Sequence, residues 1–190
     1  MSAIETSYRG CRFRSRLEAR WACFWDHLET RWEYEPQGFV IGGRPYLPDF
    51  RLPNGTWVEV KGAEAELDHG LMLAAAAELP GDASPRLLIL GPVPEPPGLN
   101  RGNWAWLGFS RVIDPGGGAV ATDAWWEFGV DGWPWIARET GCPPPYSWGD
   151  DAPWLTPVLN MTGSVPPPVI AAYRAGRSAR FEHGESGAKR

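Results

Sequence analysis

The feature that most constrains this chain is a pair of apolar runs separated by a turn sequence. The runs cover residues 46–52 and 56–60, and Pro53-Asn54-Gly55 lies between them. Asn-Gly readily adopts the left-handed backbone angles of a tight hairpin turn, so we predict two adjacent antiparallel strands. Because alternate residues share one face of a strand, Glu59 and Lys61 are expected to point the same way.

The predicted hairpin brings a third charged residue to the same patch of sheet. Asp49 lies on the partner strand, where it can stand alongside Glu59 and Lys61. Two carboxylates and an ammonium are costly to bury unless something compensates them. A bound divalent cation is the simplest compensation, and we interpret the patch as the active site.

Lysine usage supports this interpretation of position 61. The chain has 18 basic residues, of which only Lys61 and Lys189 are lysines. Lysine is a compact point charge whose pKa can fall when it is buried, whereas arginine presents a broad planar fork. A lysine at position 61 therefore indicates a need for ammonium chemistry.

Length and composition exclude several classes of protein. A chain of 190 residues can bury one good core with an elaboration, but not two full domains. No apolar run is long enough to span a membrane, and the N-terminus lacks a signal-peptide core, so we expect a cytoplasmic protein. With three cysteines lacking CxxC spacing and three histidines, neither a disulfide framework nor a zinc or histidine metal cluster is indicated.

Charge is distributed unevenly along the chain, whose net charge is −5. Residues 1–61 contain nine basic and eight acidic residues, residues 62–170 four and thirteen, and residues 171–190 five and two. We therefore expect a nucleic-acid partner to contact the two ends of the chain and not its middle. The candidate phosphate contacts are Arg12, Arg14, Arg16, Arg174, Arg177 and Arg180. Arginine stripes are also typical of solvated surfaces, and that alternative stays open here.

Hydrophobic periodicity predicts the order helix, strand, strand, strand, helix, strand up to Gly91. One predicted helix begins at Ser15 and the other covers residues 63–79. The predicted strands cover residues 32–41, with a break near Pro36, and residues 46–52, 56–60 and 86–91. An antiparallel hairpin followed by a helical crossover to a further strand gives an α/β fold with a mixed sheet.

Acidic residues near the predicted hairpin have two interpretations. Ser15-Arg16-Leu17-Glu18 matches a capping box, in which Glu18 satisfies a backbone N–H. A catalytic role for Glu18 is the alternative, and helix physics alone does not decide between them. Glu33 and Glu35 alternate with aromatic residues, which favours the solvated face of a strand.

We divide the chain into a core (residues 1–98), a Trp- and Pro-rich elaboration packed on it (99–168), and a basic C-terminal helix and tail (169–190). Aromatic residues of the elaboration could stack on nucleic-acid bases. Its acidity instead favours a β-hairpin that covers the main sheet. Three prolines precede a helix predicted from Val169 to His183.

Several of these motifs resemble those of the PD-(D/E)XK nuclease superfamily, whose fold is restriction-endonuclease-like. Pro48-Asp49 and Glu59-Val60-Lys61 match its two motif elements, and Glu18 resembles an additional acidic residue on the first helix of many members. The predicted element order agrees with the αβββαβ core of that family. The first helix is similar to that of small phage-type members with a Phe-Arg-Ser-x-Leu-Glu-Ala-like sequence, including junction-resolving relatives. The resemblance covers residues 8–91.

The resemblance implies a Mg²⁺-dependent endonuclease that hydrolyses phosphodiester bonds in DNA, with Mn²⁺ as an alternative cofactor. Asp49, Glu59 and the Val60 carbonyl would ligate the metal. Glu18 would complete the shell directly or through water. Lys61 would orient the attacking water or stabilise developing negative charge.

Other properties and functions stay open at this stage. A phage-encoded member would act in the host cytoplasm, and a homodimer is one alternative for the oligomeric state. One rival function is a non-catalytic nucleic-acid-binding protein that retains the nuclease fold. Another is a metal-dependent hydrolase of a smaller phosphate substrate.

Overall fold

A mixed β-sheet is the central element of the computed structural model, which describes residues 5–94, 106–113, 116–139 and 165–181. The strands are β1 (Thr6–Tyr8), β2 (Cys11–Phe13), β3 (Glu33–Tyr34), β4 (Phe39–Ile41), β5 (Arg44–Tyr46), β6 (Phe50–Arg51), β7 (Trp57–Val60), β8 (Leu87–Leu90), β9 (Trp106–Ile113), β10 (Ala119–Phe128) and β11 (Pro134–Glu139). The helices are α1 (Arg16–His27), α2 (His69–Glu78) and α3 (Pro167–Ser178), and a 3-10 turn covers Glu64–Glu66.

Seven strands form the main sheet, in the order β11-β10-β9-β8-β7-β6-β3. β7 and β8 are parallel, and the other neighbouring pairs in this sheet are antiparallel. The hairpins β1–β2 and β4–β5 each form a separate two-stranded sheet. The predicted α/β class with a mixed sheet is confirmed, because an antiparallel pair leads through α2 to a parallel strand.

Both faces of the main sheet are covered, as the strand β8 illustrates. Leu88 and Leu90 belong to a core cluster with α1 and α3, whereas Leu87 and Ile89 belong to a second cluster with α2 and the β4–β5 hairpin. All four side chains are buried. A strand buried on both faces is typical of a sheet between two helical layers.

The first layer depends on close packing between α1 and α3. Ser15 caps α1 by accepting a hydrogen bond from the Glu18 backbone N–H, and the helix buries the aromatic rings of Trp21 and Phe24. A Cβ atom at Gly176 of α3 would lie 2.7 Å from the Arg20 carbonyl oxygen of α1. Glycine at this position therefore sets how closely the two helices approach.

The strand predicted over residues 32–41, with a break near Pro36, is divided there into two strands of different sheets. Its first part is β3, in the main sheet, and its last part is β4, which pairs with β5 outside that sheet. The break is at Glu35, whose φ of 44° is left-handed, followed by Pro36. Gly42 and Gly43, with φ of 54° and 77°, form the two-residue turn of the β4–β5 hairpin.

Two further element boundaries differ from the prediction. The central hairpin is shorter than expected, since Tyr46 belongs to β5 and β6 begins at Phe50. The helix predicted over residues 63–79 begins only at His69, because the Asp68 side chain caps it by accepting a hydrogen bond from the Leu71 N–H (2.9 Å). The β1–β2 hairpin within the arginine-rich N-terminal stretch was not predicted.

The Trp-rich segment extends the sheet and does not cover it. β9 pairs with β8, and β10 and β11 follow at the same edge. The predicted covering hairpin is therefore wrong, because these strands find backbone hydrogen bonds in the main sheet itself. The described part of the C-terminal segment contains the predicted helix, but α3 begins at Pro167, within the proline run and before Val169. It ends at Ser178, before the predicted His183, and leaves Arg180 beyond the helix.

Other parts of the sequence predictions lie outside the described residues. These include most of the predicted proline-rich wrap over residues 143–168, the predicted end of the C-terminal helix at His183, and the predicted tail over residues 184–190. Among the described residues, no helix has the length and apolar character needed to cross a membrane.

Candidate active site

The β6–β7 hairpin brings Asp49 and Glu59 together. The Asp49 backbone N–H donates to the Val58 carbonyl (3.0 Å), which places Asp49 beside the strand that carries Glu59. Gly55, with φ of 90°, supplies the left-handed residue of the connecting turn. Both carboxylate residues are only 4% exposed.

All four oxygens of these two carboxylates have protein donors. Asp49 Oδ2 accepts from the Val60 N–H (2.7 Å), and Asp49 Oδ1 accepts from Arg14 Nη2 (3.0 Å). Glu59 Oε1 lies 2.6 Å from Lys61 Nζ, and Glu59 Oε2 accepts from the Tyr46 hydroxyl (2.9 Å). The contact between Glu59 and Lys61 agrees with their predicted common face.

Burial and mutual repulsion of the two carboxylates disfavour full ionisation. Burial, followed by the negative charge of Glu59, raises the pKa of Asp49 to about 8. Burial and the Glu59 charge also hold the pKa of Tyr46 well above its usual range. At neutral pH the acidic pair therefore holds a proton, and a bound cation could take the place of that proton.

Lys61 remains a charged ammonium in this environment. Burial lowers the pKa of Lys61, but the opposite charges of Glu59 and Asp49 outweigh burial and raise it above its ordinary value. The sequence alone left open a lowered pKa for a buried lysine, but the surroundings of Lys61 raise its pKa instead. Lys61 is suited to stabilising negative charge and not to accepting a proton.

Glu18 lies at the same site and also takes part in the helix cap. Its Oε1 accepts from the Ser15 hydroxyl (2.6 Å), and its Oε2 accepts from the Tyr34 hydroxyl (2.6 Å) and the Arg14 N–H (3.1 Å). The predicted capping box is thus present in altered form, since the Glu18 carboxylate accepts from the Ser15 hydroxyl and from the backbone N–H of Arg14, the residue before Ser15. The Glu18 charge adds to the raised pKa of Asp49, after burial and the Glu59 charge, and both acids accept hydrogen bonds from Arg14.

Two residues of the site were missed or misassigned by sequence reasoning. Glu35 was interpreted as solvent-facing, yet it is partly buried and its carboxylate forms an ion pair with Arg14. Arg14, a predicted phosphate contact, reaches across to Asp49. The signal that could have found Glu35 is the Glu35-Pro36 pair, because a break there cancels the alternation on which a solvent-facing assignment depends.

The other predicted phosphate-contacting arginines lie apart from Asp49 and Glu59. Arg12 is exposed and pairs with Glu5. Arg16 is partly buried at the start of α1, and the three C-terminal arginines are exposed on or just beyond α3, in the layer opposite α2. Arg14 is therefore the member of this predicted set that the structure brings to Asp49.

A cleft of about 960 Å³ opens beside the acidic pair. Glu59, Lys61 and Arg14 contribute polar atoms to its wall, and its apolar lining comes mainly from the β4–β5 region and α2: Phe39, Val40, Leu47, Leu71 and Met72. The volume is that of a site for a small ligand or for part of a larger one. The polar residues are thus accessible from solvent.

The carboxylates of the site can be compared with the ligands that a divalent cation requires. Within the described ranges, no group of three or more His, Cys, Asp or Glu side chains has an arrangement that could hold a metal ion. Mg²⁺, however, is commonly held by only one or two carboxylates together with water and substrate phosphates. Two buried carboxylates fit that requirement, and their oxygens match a hard cation.

Comparisons with known proteins found no match for this chain among protein-family models, curated proteins or solved structures. Fold and site together define it as an α/β protein with a buried carboxylate pair and an adjacent lysine at a cleft.

Proposed function

We propose that this protein is a Mg²⁺-dependent endonuclease of the PD-(D/E)XK type that hydrolyses phosphodiester bonds in DNA, with structure-specific or junction-resolving cleavage as the narrower form of the proposal. The observation that carries the proposal is the placement of Asp49, Glu59 and Lys61 on one hairpin, with Glu59 and Lys61 at the wall of a cleft. Burying such charges is costly, and a catalytic site is a physical reason to keep them.

The topology is compatible with this proposal. α1, β3, β6, β7, α2 and β8 follow the order of a restriction-endonuclease-like αβββαβ core. The β4–β5 hairpin is then an insertion between the first two strands, and β9–β11 extend the sheet beyond the last. The insertion forms one wall of the cleft.

The residues that would hold Mg²⁺ are Asp49, Glu59 and the Val60 carbonyl, with Glu18 directly or through water. When bound, the metal supplies Lewis acidity toward the phosphate and lowers the pKa of water. Tyr46 fixes the orientation of Glu59 through its hydroxyl.

Lys61 has the role of stabilising negative charge that develops on the phosphate. Its raised pKa keeps the ammonium protonated, so it does not act as the base that removes a proton from water. Glu59, 2.6 Å away, holds the ammonium at the wall of the cleft.

The test is incubation of the protein with supercoiled, linear, single-stranded and branched DNA, in Mg²⁺, Mn²⁺ and EDTA. We expect cleavage that EDTA abolishes and that Lys61→Ala abolishes as well. His27→Ala is the matched control, since His27 is an exposed α1 residue outside the cleft.

Two results would count against the proposal in different ways. Cleavage by Lys61→Ala at the wild-type rate would refute the assignment of the site. Binding of DNA without cleavage of any substrate would support the rival function, a non-catalytic nucleic-acid-binding protein. Action in the cytoplasm, that of the host for a phage-encoded protein, and a homodimeric state stay parts of the proposal.

A further inference from the structure

The four donors to the Asp49 and Glu59 carboxylates differ in how firmly they are held. The Val60 N–H belongs to the backbone of β7, and Tyr46 is only 6% exposed. The Lys61 side chain is 28% exposed, whereas that of Arg14 is 56% exposed. Arg14 is therefore the donor that can leave with the smallest change in the surrounding packing.

Arg14 also connects two acids that come from different elements. Its guanidinium contacts Oδ1 of Asp49 and, on another side, Oε1 of Glu35. The Glu35 backbone N–H donates to the Asp49 carbonyl (2.9 Å), which fixes the two residues relative to each other. A single positive charge thus lies between two acidic side chains, one of them the buried Asp49, whose other oxygen accepts from the Val60 N–H.

A cation that bound Asp49 Oδ1 would compete with the Arg14 guanidinium for that oxygen. Two positive charges close together repel each other, and a carboxylate oxygen that accepts from arginine is a poorer ligand. Arginine stays protonated under all ordinary conditions, so it cannot relieve the conflict by losing a proton. It must move away from Asp49.

We propose that Arg14 is an internal counter-cation that occupies the acidic site until a divalent cation displaces it. This inference rests on the proposed function, because it needs Asp49 to be a metal ligand. Once displaced, the guanidinium keeps Glu35 as a partner and lies at the wall of the cleft, where it can contact a substrate phosphate. Metal binding is thereby coupled to the release of a phosphate-binding group.

The test measures Mn²⁺ affinity directly, by calorimetry or by the loss of the free-ion spin-resonance signal, without DNA. Arg14→Gln should bind Mn²⁺ about tenfold more tightly than wild type, which corresponds to about 1.4 kcal/mol. In EDTA the same variant should melt at a lower temperature than wild type, and saturating Mn²⁺ should remove that deficit. Arg12→Gln is the matched control for metal affinity, since Arg12 pairs with Glu5 and does not contact Asp49.

A second variant separates displacement from a general change in charge. Arg14→Lys keeps the charge but loses the planar fork that contacts both acids. Displacement predicts that Arg14→Lys binds Mn²⁺ more tightly than wild type but less tightly than Arg14→Gln. Equal affinity of Arg14→Lys and wild type would overturn the proposal, as would unchanged or weaker binding by a folded Arg14→Gln.

The outcomes distinguish this inference from the proposed function. Wild-type protein that binds Mn²⁺ as tightly as Arg14→Gln refutes the counter-cation but leaves the metal site standing. Binding by Arg14→Gln with none by wild type supports the counter-cation. Absence of binding in both proteins at millimolar Mn²⁺ refutes the metal site and the inference together.

Discussion

The two faces of the β6–β7 hairpin are buried to nearly the same extent but are stabilised in different ways. On one face Phe50 and Val58, both 0% exposed, pack in the core cluster of α1 and α3. On the other face Asp49 and Glu59 are 4% exposed and bonded to fixed donors. The first face is stabilised by removing apolar surface from water. On the second face Trp57 packs in the α2 cluster, whereas the two carboxylates depend on a closed set of hydrogen bonds and ion pairs.

This difference shows that burial alone does not reveal what a strand residue does. An apolar side chain in a well-packed core has no better alternative, so its face is inert. A buried carboxylate retains a demand for positive charge, which a proton, Arg14 or a metal can each meet. The polar face is therefore the one that can change its state.

The largest expected effect comes from removing a charge on the polar face. Glu59→Gln keeps an acceptor for Tyr46 but lowers the negative charge beside Lys61 and Asp49. We expect single-turnover cleavage in Mg²⁺ to fall by at least about 10³-fold, with the fold retained. Asp49→Ala and Lys61→Ala should have comparable effects, and circular dichroism checks the fold. A folded variant with the wild-type rate would contradict the site assignment.

Truncation on the apolar face should reverse the pattern. Phe50→Ala removes a ring that contacts those of Trp25 and Tyr34, so we expect a loss of about 3–5 kcal/mol in the free energy of unfolding. Urea denaturation measures it, and Phe50→Leu is the milder control. Mn²⁺ affinity at low temperature, where the variant remains folded, should stay unchanged. A large loss of metal affinity would mean that the two faces are not independent.

Glu18 sharpens the comparison because it belongs to the cap of α1 and also faces the polar side. Glu18→Gln can still accept from Ser15, so the loss of stability should be at most about 1 kcal/mol. We expect turnover to fall by on the order of 10²-fold if the carboxylate helps to hold the metal. Tyr34→Phe is the control, since it removes one donor to Glu18 and no charge. Full Mg²⁺-dependent activity of Glu18→Gln would leave only the capping role.

The pH dependence of stability should report the polar face in the absence of metal. The folded pKa of Asp49 is raised above its unfolded value, so the folded state binds more protons between about pH 4 and pH 8. Stability in EDTA should therefore decrease as the pH rises through this window. Thermal melts at several pH values measure the slope, and Glu59→Gln should flatten it because the repelling charge is gone. A slope of opposite sign would contradict the assigned protonation.

The smallest expected effect concerns the C-terminal arginines. They lie on or just beyond α3, in the layer on the opposite side of the main sheet from α2. Replacing Arg174, Arg177 and Arg180 with alanine should flatten the log–log salt dependence of DNA binding by up to about two to three units if all contact phosphate. Binding is measured in Ca²⁺, which we expect to support the complex without cleavage. Trp133→Ala is the comparison, since Trp133 is 38% exposed and belongs to the segment whose aromatic residues could stack on bases. Affinity lost only in Trp133→Ala would indicate base stacking instead.

Sequence reasoning succeeded where the structure depends on neighbours along the chain. The Asn54-Gly55 turn and the alternation of Glu59 and Lys61 are local properties, and they place three charged residues together without knowledge of the rest. It failed where the outcome depends on distant segments. Nothing local indicates that residues 39–46 leave the main sheet, or that the Trp-rich strands pair with β8.

The site itself was predictable only in part for the same reason. The alternation of side chains along a strand identifies which residues share a face of the sheet. It does not identify which side chains of other elements contact that face. Arg14 comes from the segment before α1, and Glu35 follows a strand that ends in a left-handed residue. Their contacts to Asp49 arise from tertiary packing, which overrides the local pattern.

The close contact between Gly176 and α1 has a consequence for how the protein is made. Trp21 and Phe24 of α1 pack against Tyr173, which the ribosome adds about 150 residues later, roughly 8–30 seconds at ordinary synthesis rates. During that interval, part of the aromatic surface of the first helix has no native partner to cover it. The nascent chain therefore exposes apolar surface of the kind that chaperones bind, and this layer of the core is completed only after α3 has been synthesised.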